Sequence, residues 1–188
     1  MKKQLIIIIL AMSYTFTASY AIAVTPEITG PDIEIINNDI IVNLSINNVT
    51  ELETTIRSGI EKEIIFTIEL LRVWRFWPDE FIVSKKVTRV IKYDNLREQY
   101  RTSSYDGITR IEKRFKDFNT MKDWIFNVNA VNLANIRELE PGSYYVRIMV
   151  ESKSLEQLPV IGLLMHLIPE VEMSLAKESE PFIIKDNK

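Results

Sequence analysis

The fold of this chain is decided by the stretch YYVRIMVE, residues 144–151. Every second side chain from Tyr144 to Val150 is aromatic or aliphatic, and the side chains between them include Arg147 and Glu151. Such alternation places the two sets of side chains on opposite faces of a β-strand. The stretch has the cleanest alternation in the chain, so we expect it to lie at the centre of a sheet.

The same alternation recurs upstream. Beginning at Asp39, four aliphatic side chains alternate with asparagine and serine as far as Asn47, which predicts a half-buried strand. Nearly continuous apolar runs at 64–71 and 81–93 predict two further strands that pair as antiparallel neighbours. In the second run, the side chains in phase are Phe81, Val83, Val87, Ile91 and Tyr93.

An Asp-Gly pair predicts a hairpin in the middle of the chain. Alternation continues over residues 96–102, and Tyr105-Asp106-Gly107 then supplies a turn that leads back through 108–115. Two short strands are predicted near the C-terminus, at 171–175 and 182–184.

Helical spacing predicts two short helices. The first begins at a Thr50 cap, places Leu52 and Ile56 on one face and stops at Gly59. The second begins at an Asn119 cap and runs to about Asn127. Its apolar side comprises Met121, Trp124, Ile125 and Val128. Residues beyond this helix are expected to be irregular until Pro141-Gly142.

Seven or eight strands with one or two short helices predict a mainly β fold. We expect an antiparallel β-sandwich of immunoglobulin-like size, in which two sheets pack face to face. No internal repeat or linker interrupts the chain, so one domain is the simplest arrangement.

Residues 1–23 predict a secretory signal peptide. Lys2 and Lys3 precede an apolar run that begins at Leu5, and Ala21-Ile22-Ala23 has the small residues that a signal peptidase requires. Cleavage would leave residues 24–188 as a single β-sandwich domain. The alternative is an uncleaved anchor, which the short run with its serines and threonines disfavours.

Composition narrows the compartment and the partners. The chain has no cysteine, which excludes a lipid-modified bacterial lipoprotein and a disulfide framework and favours a bacterial periplasm. Removing Lys2 and Lys3 leaves 21 Lys and Arg against 26 Asp and Glu, a net charge of −5. This acidic balance argues against a nucleic-acid partner.

The segment RVWRFWPDE, residues 72–80, is the first candidate for a binding surface. In an extended conformation the side chains of successive residues point to opposite sides, so arginines could stack on aromatic rings or bind an anionic ligand. The residues concerned are Arg72, Trp74, Arg75 and Trp77. The alternative is a packed aromatic corner whose arginines pair with Asp79 and Glu80.

Tyrosines form a second candidate surface. Tyr93, Tyr100 and Arg101 lie on adjoining predicted elements, and with Tyr144 or Tyr145 they would line a groove suited to carbohydrate or peptide. The alternative is core packing with hydroxyl groups that reach the surface.

Residues 158–169 form an apolar segment bounded by prolines. If exposed, it would dock a partner or a membrane surface, and the alternative is a buried helix or edge element that covers the sandwich. The residues at helical spacing are Val160, Leu163, Leu164 and Leu167.

No catalytic or metal-binding motif is present in the sequence. His166 is the only histidine and cannot assemble a multi-histidine metal site, and no nucleophile elbow or phosphate-binding glycine loop occurs. Asp79 and Glu80 are adjacent, and on a strand they would diverge. We therefore expect no enzyme, no metal and no cofactor.

Three blocks together resemble a known family. They are residues 72–79, then 91–94 with 99–101, and then 142–148. Their order and spacing are similar to DUF4390, a family of exported bacterial proteins of unknown function, over roughly 32–184. The resemblance implies a signal peptide and no assigned activity. Such proteins are often encoded near sensor-kinase genes, which implies a role beside an envelope sensor kinase.

These observations favour a non-enzymatic periplasmic protein-interaction domain. It would bind an envelope or membrane protein through strand edges or through residues 158–169. The alternative is a module that binds a small ligand or glycan on the Trp/Arg/Tyr surface. A hydrolase would need a cleft that holds two or more acids. Membrane contact is expected only through the signal peptide before cleavage, or weakly through residues 158–169.

Overall fold

A computed structural model describes residues 25–49, 52–155 and 171–185 of the protein. Across these ranges the chain forms ten β-strands, two short α-helices and a single 3-10 turn. The strands are β1 (Glu27–Ile36), β2 (Asp39–Asn47), β3 (Glu61–Arg72), β4 (Glu80–Asp94), β5 (Gln99–Tyr105), β6 (Arg110–Phe115), β7 (Asn127–Asn135), β8 (Gly142–Leu155), β9 (Val171–Glu178) and β10 (Phe182–Ile184). The helices are α1 (Leu52–Arg57) and α2 (Phe118–Phe126), and the 3-10 turn is Ile136–Glu138.

The strands form two antiparallel sheets. The small sheet has the order β1-β2-β7. The large sheet has the order β6-β5-β4-β3-β8, and both β9 and β10 pair with the far edge of β8. The expected mainly β sandwich is confirmed, as are the central position of β8 and the antiparallel pairing of β3 with β4.

The core lies between the two sheets, where period-2 alternation buries one face of each strand. The four aliphatic side chains of β2 are at most 3% exposed. They face the even-numbered side chains of β3 and β8, which are also buried. Burial of each such side chain contributes roughly 1.5–3 kcal/mol, so this interface dominates the stability of the fold. The principal inner-face residues are Ile40, Val42, Leu44, Ile46, Phe66, Ile68, Leu70, Val146, Ile148 and Val150.

Two strands were not predicted from the sequence. β1 contains Gly30-Pro31 and β7 has the sequence NVNAVNLAN, and glycine, proline and asparagine all have low strand propensity. Residues 127–135 were expected to be irregular, but they pair with β2 along its full length. Tertiary pairing here overrides a weak local preference.

The prediction for Phe81 was wrong. A register shift between Leu70 and Leu71 places Val83 opposite Leu70 but Phe81 opposite Leu71. Residues directly opposite each other share a face, so this bulge moves Phe81 to the outer face, where it is 57% exposed.

Three smaller predictions also need correction. Leu96 lies in the β4–β5 turn and is almost fully exposed, so the strand does not continue through it. The cap of α2 is Asp117, whose carboxylate accepts a hydrogen bond from the backbone N–H of Thr120, and not Asn119. Val128 belongs to β7 and not to the helix, although it is buried as expected.

The Asp-Gly hairpin is confirmed. Asp106 accepts hydrogen bonds from the backbone N–H groups of Ile108 and Thr109, and Gly107 adopts a φ of +95° that favours glycine. These bonds lower the pKa of Asp106.

Candidate functional site

The Trp/Arg segment predicted from the sequence is a loop that projects beyond the ends of two strands. β3 ends at Arg72 and β4 begins at Glu80, so residues 73–79 are not extended strand and do not alternate as expected. We call residues 73–81 the aromatic loop. Its side chains are 83% exposed at Phe76, 76% at Trp77 and 43% at Trp74. The alternative of a packed corner therefore does not describe Phe76 and Trp77.

Acidic side chains fix the base of the aromatic loop. The Asp79 carboxylate accepts hydrogen bonds from the backbone N–H of Trp74 at 3.2 Å and from the hydroxyl of Tyr145 at 3.1 Å. The Glu80 carboxylate accepts one from the indole N–H of Trp74 at 3.1 Å. Burial and the bond to Asp79 together raise the pKa of Tyr145, so its hydroxyl remains a donor.

Arg72 ties the aromatic loop to the neighbouring connection. Its guanidinium donates to Glu140 at 2.6 Å and to the backbone carbonyl of Pro141 at 3.0 Å, and it lies 4.6 Å from the centroid of the Trp74 ring. A Cβ at Gly142 would meet Nε of Arg72 at 3.0 Å, so glycine leaves room for this arrangement. Arg72 also lies 3.9 Å from Glu80.

Other exposed apolar side chains lie at the same end of the sandwich. The backbone N–H of Ile136 bonds the carbonyl of Asn38, which brings the β1–β2 turn, with exposed Ile35 and Ile36 before it, next to residues 136–141. The backbone N–H of Val73 bonds Ser143, the partner of exposed Ile183 in β10. This end of the sandwich, which we call the apolar end, therefore carries exposed apolar side chains from the aromatic loop, β10 and the strand before the β1–β2 turn.

The tyrosine groove predicted from the sequence does not form. Tyr100 is fully buried, with its ring 4.8 Å from that of Tyr93, and its hydroxyl bonds Glu53 and Arg57. Arg101 follows Tyr100 on the same strand and therefore faces the opposite side of the sheet. Burial raises the pKa of the Tyr100 phenol, which keeps it neutral.

Tyr144 and Tyr145 are likewise separated. Tyr144 faces the core and donates to the backbone carbonyl of Glu140 at 2.7 Å, whereas Tyr145 lies on the outer face beside the aromatic loop. Neither joins a groove with Tyr100. The alternative of core packing describes Tyr93, Tyr100 and Tyr144.

Arg89 is a buried residue that the sequence patterns did not predict. One terminal nitrogen of its guanidinium donates to the backbone carbonyls of Trp124, Ile125 and Asn127 at the end of α2. The only sequence signal was its place in the apolar phase of β4, between Val87 and Ile91. It closes the end of α2 and lines an open cleft of about 860 Å³ between the two sheets.

Outside the described residues lie the predicted signal peptide, the predicted Thr50 cap, His166 and the patch residues Val160, Leu163, Leu164 and Leu167. Within the described ranges, no three His, Cys, Asp or Glu side chains stand together as a metal site would require. In the same part of the chain, no helix reaches the length and hydropathy of a bilayer span.

The fold and the aromatic loop define a class: an antiparallel β-sandwich with a rigidly held, exposed aromatic loop at one end. The family model of DUF4390, described as a domain of unknown function, matches residues 25–163. The chain therefore belongs to this family, which confirms the resemblance seen in its sequence. The match ends before β9 and β10, so it covers less of the C-terminal part than expected. No curated protein and no solved structure shows significant similarity to the chain.

Proposed function

We propose that this protein is an exported, non-enzymatic binding domain that docks onto a protein partner in the bacterial envelope through its aromatic loop. The observation that carries the proposal is the exposure of Phe76 and Trp77 on a loop that hydrogen bonds hold in place. Tryptophan and arginine dominate the binding energy of protein interfaces, and preorganised side chains lose little entropy on binding.

The size of the apolar end supports a macromolecular partner. Each aromatic side chain can bury roughly 150–250 Å², so Trp74, Phe76 and Trp77 together offer several hundred Å². An exposed apolar patch of this size is larger than the area that a single scattered surface residue exposes, and it is typical of an interaction site. Ile35 and Ile36 add exposed apolar area at the same end, on opposite faces of β1.

The charge around the aromatic loop is balanced and does not favour a highly charged partner. Arg72 pairs with Glu140 and lies 3.9 Å from Glu80, whereas Arg75 stacks 5.3 Å from the centroid of the Phe76 ring. A hydrophobic pocket rimmed by polar groups on the partner would complement this surface. The family resemblance adds the periplasmic part of a sensor kinase as the candidate partner. In this proposal, cleavage of the predicted signal peptide after Ala23 releases the domain into the periplasm.

The test is site-specific photo-crosslinking in the native envelope. A photoreactive amino acid at Arg75 leaves the neighbouring rings intact, and mass spectrometry identifies the captured protein. The periplasmic part of that protein is then purified and titrated with the wild type, with Phe76→Ser/Trp77→Ser and with the matched control Leu96→Ser/Ile108→Ser. Leu96 and Ile108 are also highly exposed but lie outside the aromatic loop.

We expect the loop variant to bind at least roughly 30-fold more weakly, because the loss of even one hot-spot ring costs about 2 kcal/mol. The control variant should bind like the wild type, and both variants should keep the melting temperature. No crosslink from residue 75, or equal weakening in both variants, would contradict the proposal. Loop-dependent binding of peptidoglycan fragments without a protein partner would instead favour the glycan-binding alternative.

A further inference from the structure

On the outer face of the large sheet, charged side chains are paired across neighbouring strands in two different ways. Between β3 and β8, opposite charges lie directly across from each other: Glu63 is opposite Lys153, and Glu69 is opposite Arg147 at 3.1 Å. This is the arrangement that stabilises a sheet, because directly opposite side chains are close neighbours.

Between β4, β5 and β6, by contrast, like charges lie directly opposite each other. Lys92 is opposite Arg101, and Arg101 is opposite Arg114. Three cations therefore stand in one row across three adjacent strands, which we call the cation row. Strands are about 4.8 Å apart, so the row is roughly 10 Å long. Like charges directly opposite each other destabilise a sheet.

Few carboxylates neutralise the cation row. Lys92 reaches Glu61 at 3.7 Å. Among the residues that the structure describes, no carboxylate lies within 4.0 Å of Arg101 or Arg114. A concave surface of about 630 Å³ surrounds the row, and four cations and two acids on this face line it. Lys113 also borders it, but its ammonium group lies on the other face, 5.2 Å from the centroid of the Trp124 ring. The chain as a whole carries a net charge of −3, so this local excess runs against its composition.

Protection of an edge strand does not explain the cation row. Charged residues on an exposed edge prevent aggregation, and this accounts for Arg114 on β6. Lys92 and Arg101, however, lie on β4 and β5, which are paired on both sides. Their repulsion has no structural benefit within the sheet, and an anionic ligand would relieve it.

We propose that the cation row binds a ligand that carries two or more phosphoryl groups. The planar guanidinium groups of Arg101 and Arg114 match the oxygens of a phosphoryl group with paired hydrogen bonds, and Lys92 adds a point charge. A row of roughly 10 Å accommodates two or three adjacent phosphoryl groups. Such groups occur in soluble polyphosphates and in lipid head groups with two phosphates, and the experiment distinguishes these sources.

The test uses the full domain and inorganic tripolyphosphate in isothermal titration calorimetry at low ionic strength, where screening is weak. Arg101→Gln/Arg114→Gln removes two charges from the row. The matched control, Arg97→Gln/Arg137→Gln, removes two exposed charges that do not line this surface. Co-sedimentation with phosphatidylcholine vesicles, with and without cardiolipin, tests the lipid source.

We expect the row variant to bind tripolyphosphate about tenfold or more weakly than the wild type, and the control to bind as the wild type does. The row variant should melt no lower than the wild type, because like-charge repulsion is removed. Binding to cardiolipin vesicles that depends on the row would assign a lipid source, and binding to tripolyphosphate alone a soluble one. Absence of binding to both probes, or equal loss in both variants, would overturn the proposal.

Discussion

Replacing Arg89 by methionine is expected to destabilise the fold by about 3 kcal/mol. The Arg89 side chain is buried on the inner face of β4, 5.0 Å from the centroid of the Trp124 ring and 5.7 Å from that of Phe66. Burial lowers the pKa of its guanidinium to about 10, which still leaves it charged at neutral pH. A charged donor is therefore present at the end of α2.

The magnitude follows from the hydrogen bonds that would be lost. One terminal nitrogen shares its two hydrogens among three backbone carbonyls, with distances of 2.7 Å to Ile125 and 2.9 Å to Asn127. Each bond from a charged donor contributes roughly 1.5–3 kcal/mol, and each buried carbonyl left unpaired costs about as much. Because methionine carries no charge, the variant avoids the cost of burying the guanidinium, and this offsets part of the loss. Methionine keeps most of the apolar contacts, so about 3 kcal/mol remains.

Urea unfolding followed by circular dichroism measures the change in the free energy of unfolding. In a domain of this size, a loss of about 3 kcal/mol should also lower the melting temperature by roughly 6–12 °C. Lys85→Met is the matched control, because Lys85 lies on the same strand and face but is exposed. The control should change stability by no more than about 0.5 kcal/mol. A loss below about 1 kcal/mol for Arg89→Met would refute the view that this arginine closes α2.

Three further predictions concern stability. Asp117→Ala should lower the urea midpoint of unfolding because it removes the cap of α2, whereas Asn119→Ala should leave the midpoint unchanged; equal effects would contradict the assigned cap. Burial raises the pKa of Glu172, but hydrogen bonds from Lys62 and a neighbouring serine outweigh this, so its folded-state pKa lies below its ordinary value of 4.5. Its stabilising contribution is thus present above pH 4.5 and is lost as the pH falls through the folded-state pKa. Glu172→Gln should therefore flatten the acid limb of a melting-temperature profile, and an unchanged limb would contradict this ion pair. Gly30→Ala should lower the melting temperature markedly, because φ is +96° and the new Cβ would lie 2.9 Å from a backbone carbonyl oxygen of β2; an unchanged melting temperature would refute that strain.

Local patterns predicted most of the strands. Period-2 alternation identified β2 and β8 because each strand buries one face, so its apolar residues must recur at every second position, and nearly continuous apolar runs identified β3 and β4. The Asp-Gly turn identified the β5–β6 hairpin because its backbone conformation depends on the turn residues themselves. In each of these cases the decisive interactions lie within a few residues.

Patterns failed where a distant partner decided the outcome. β7 has weak strand propensity but pairs with β2, more than 80 residues earlier, as in the bond from Ala130 to Asn43. Phe81 and Arg89 both lie at odd-numbered positions of β4, where alternation predicts burial. The bulge in the pairing of β3 with β4 exposes Phe81, whereas Arg89 is buried because its guanidinium bonds the carbonyls at the end of α2. Alternation alone cannot locate a bulge or a partner helix.

For the candidate sites, too, some features follow from the sequence and others only from the tertiary structure. The sequence by itself determined that residues 72–77 concentrate tryptophan and arginine, and it determined the family blocks, because these depend only on residue identity and order. Only the tertiary structure decided that Phe76 and Trp77 are exposed while Tyr100 is buried. It also decided that Lys92, Arg101 and Arg114 form one row. The physical reason is that exposure and cross-strand neighbours depend on sheet register, and register is set by packing between elements that are far apart in the chain.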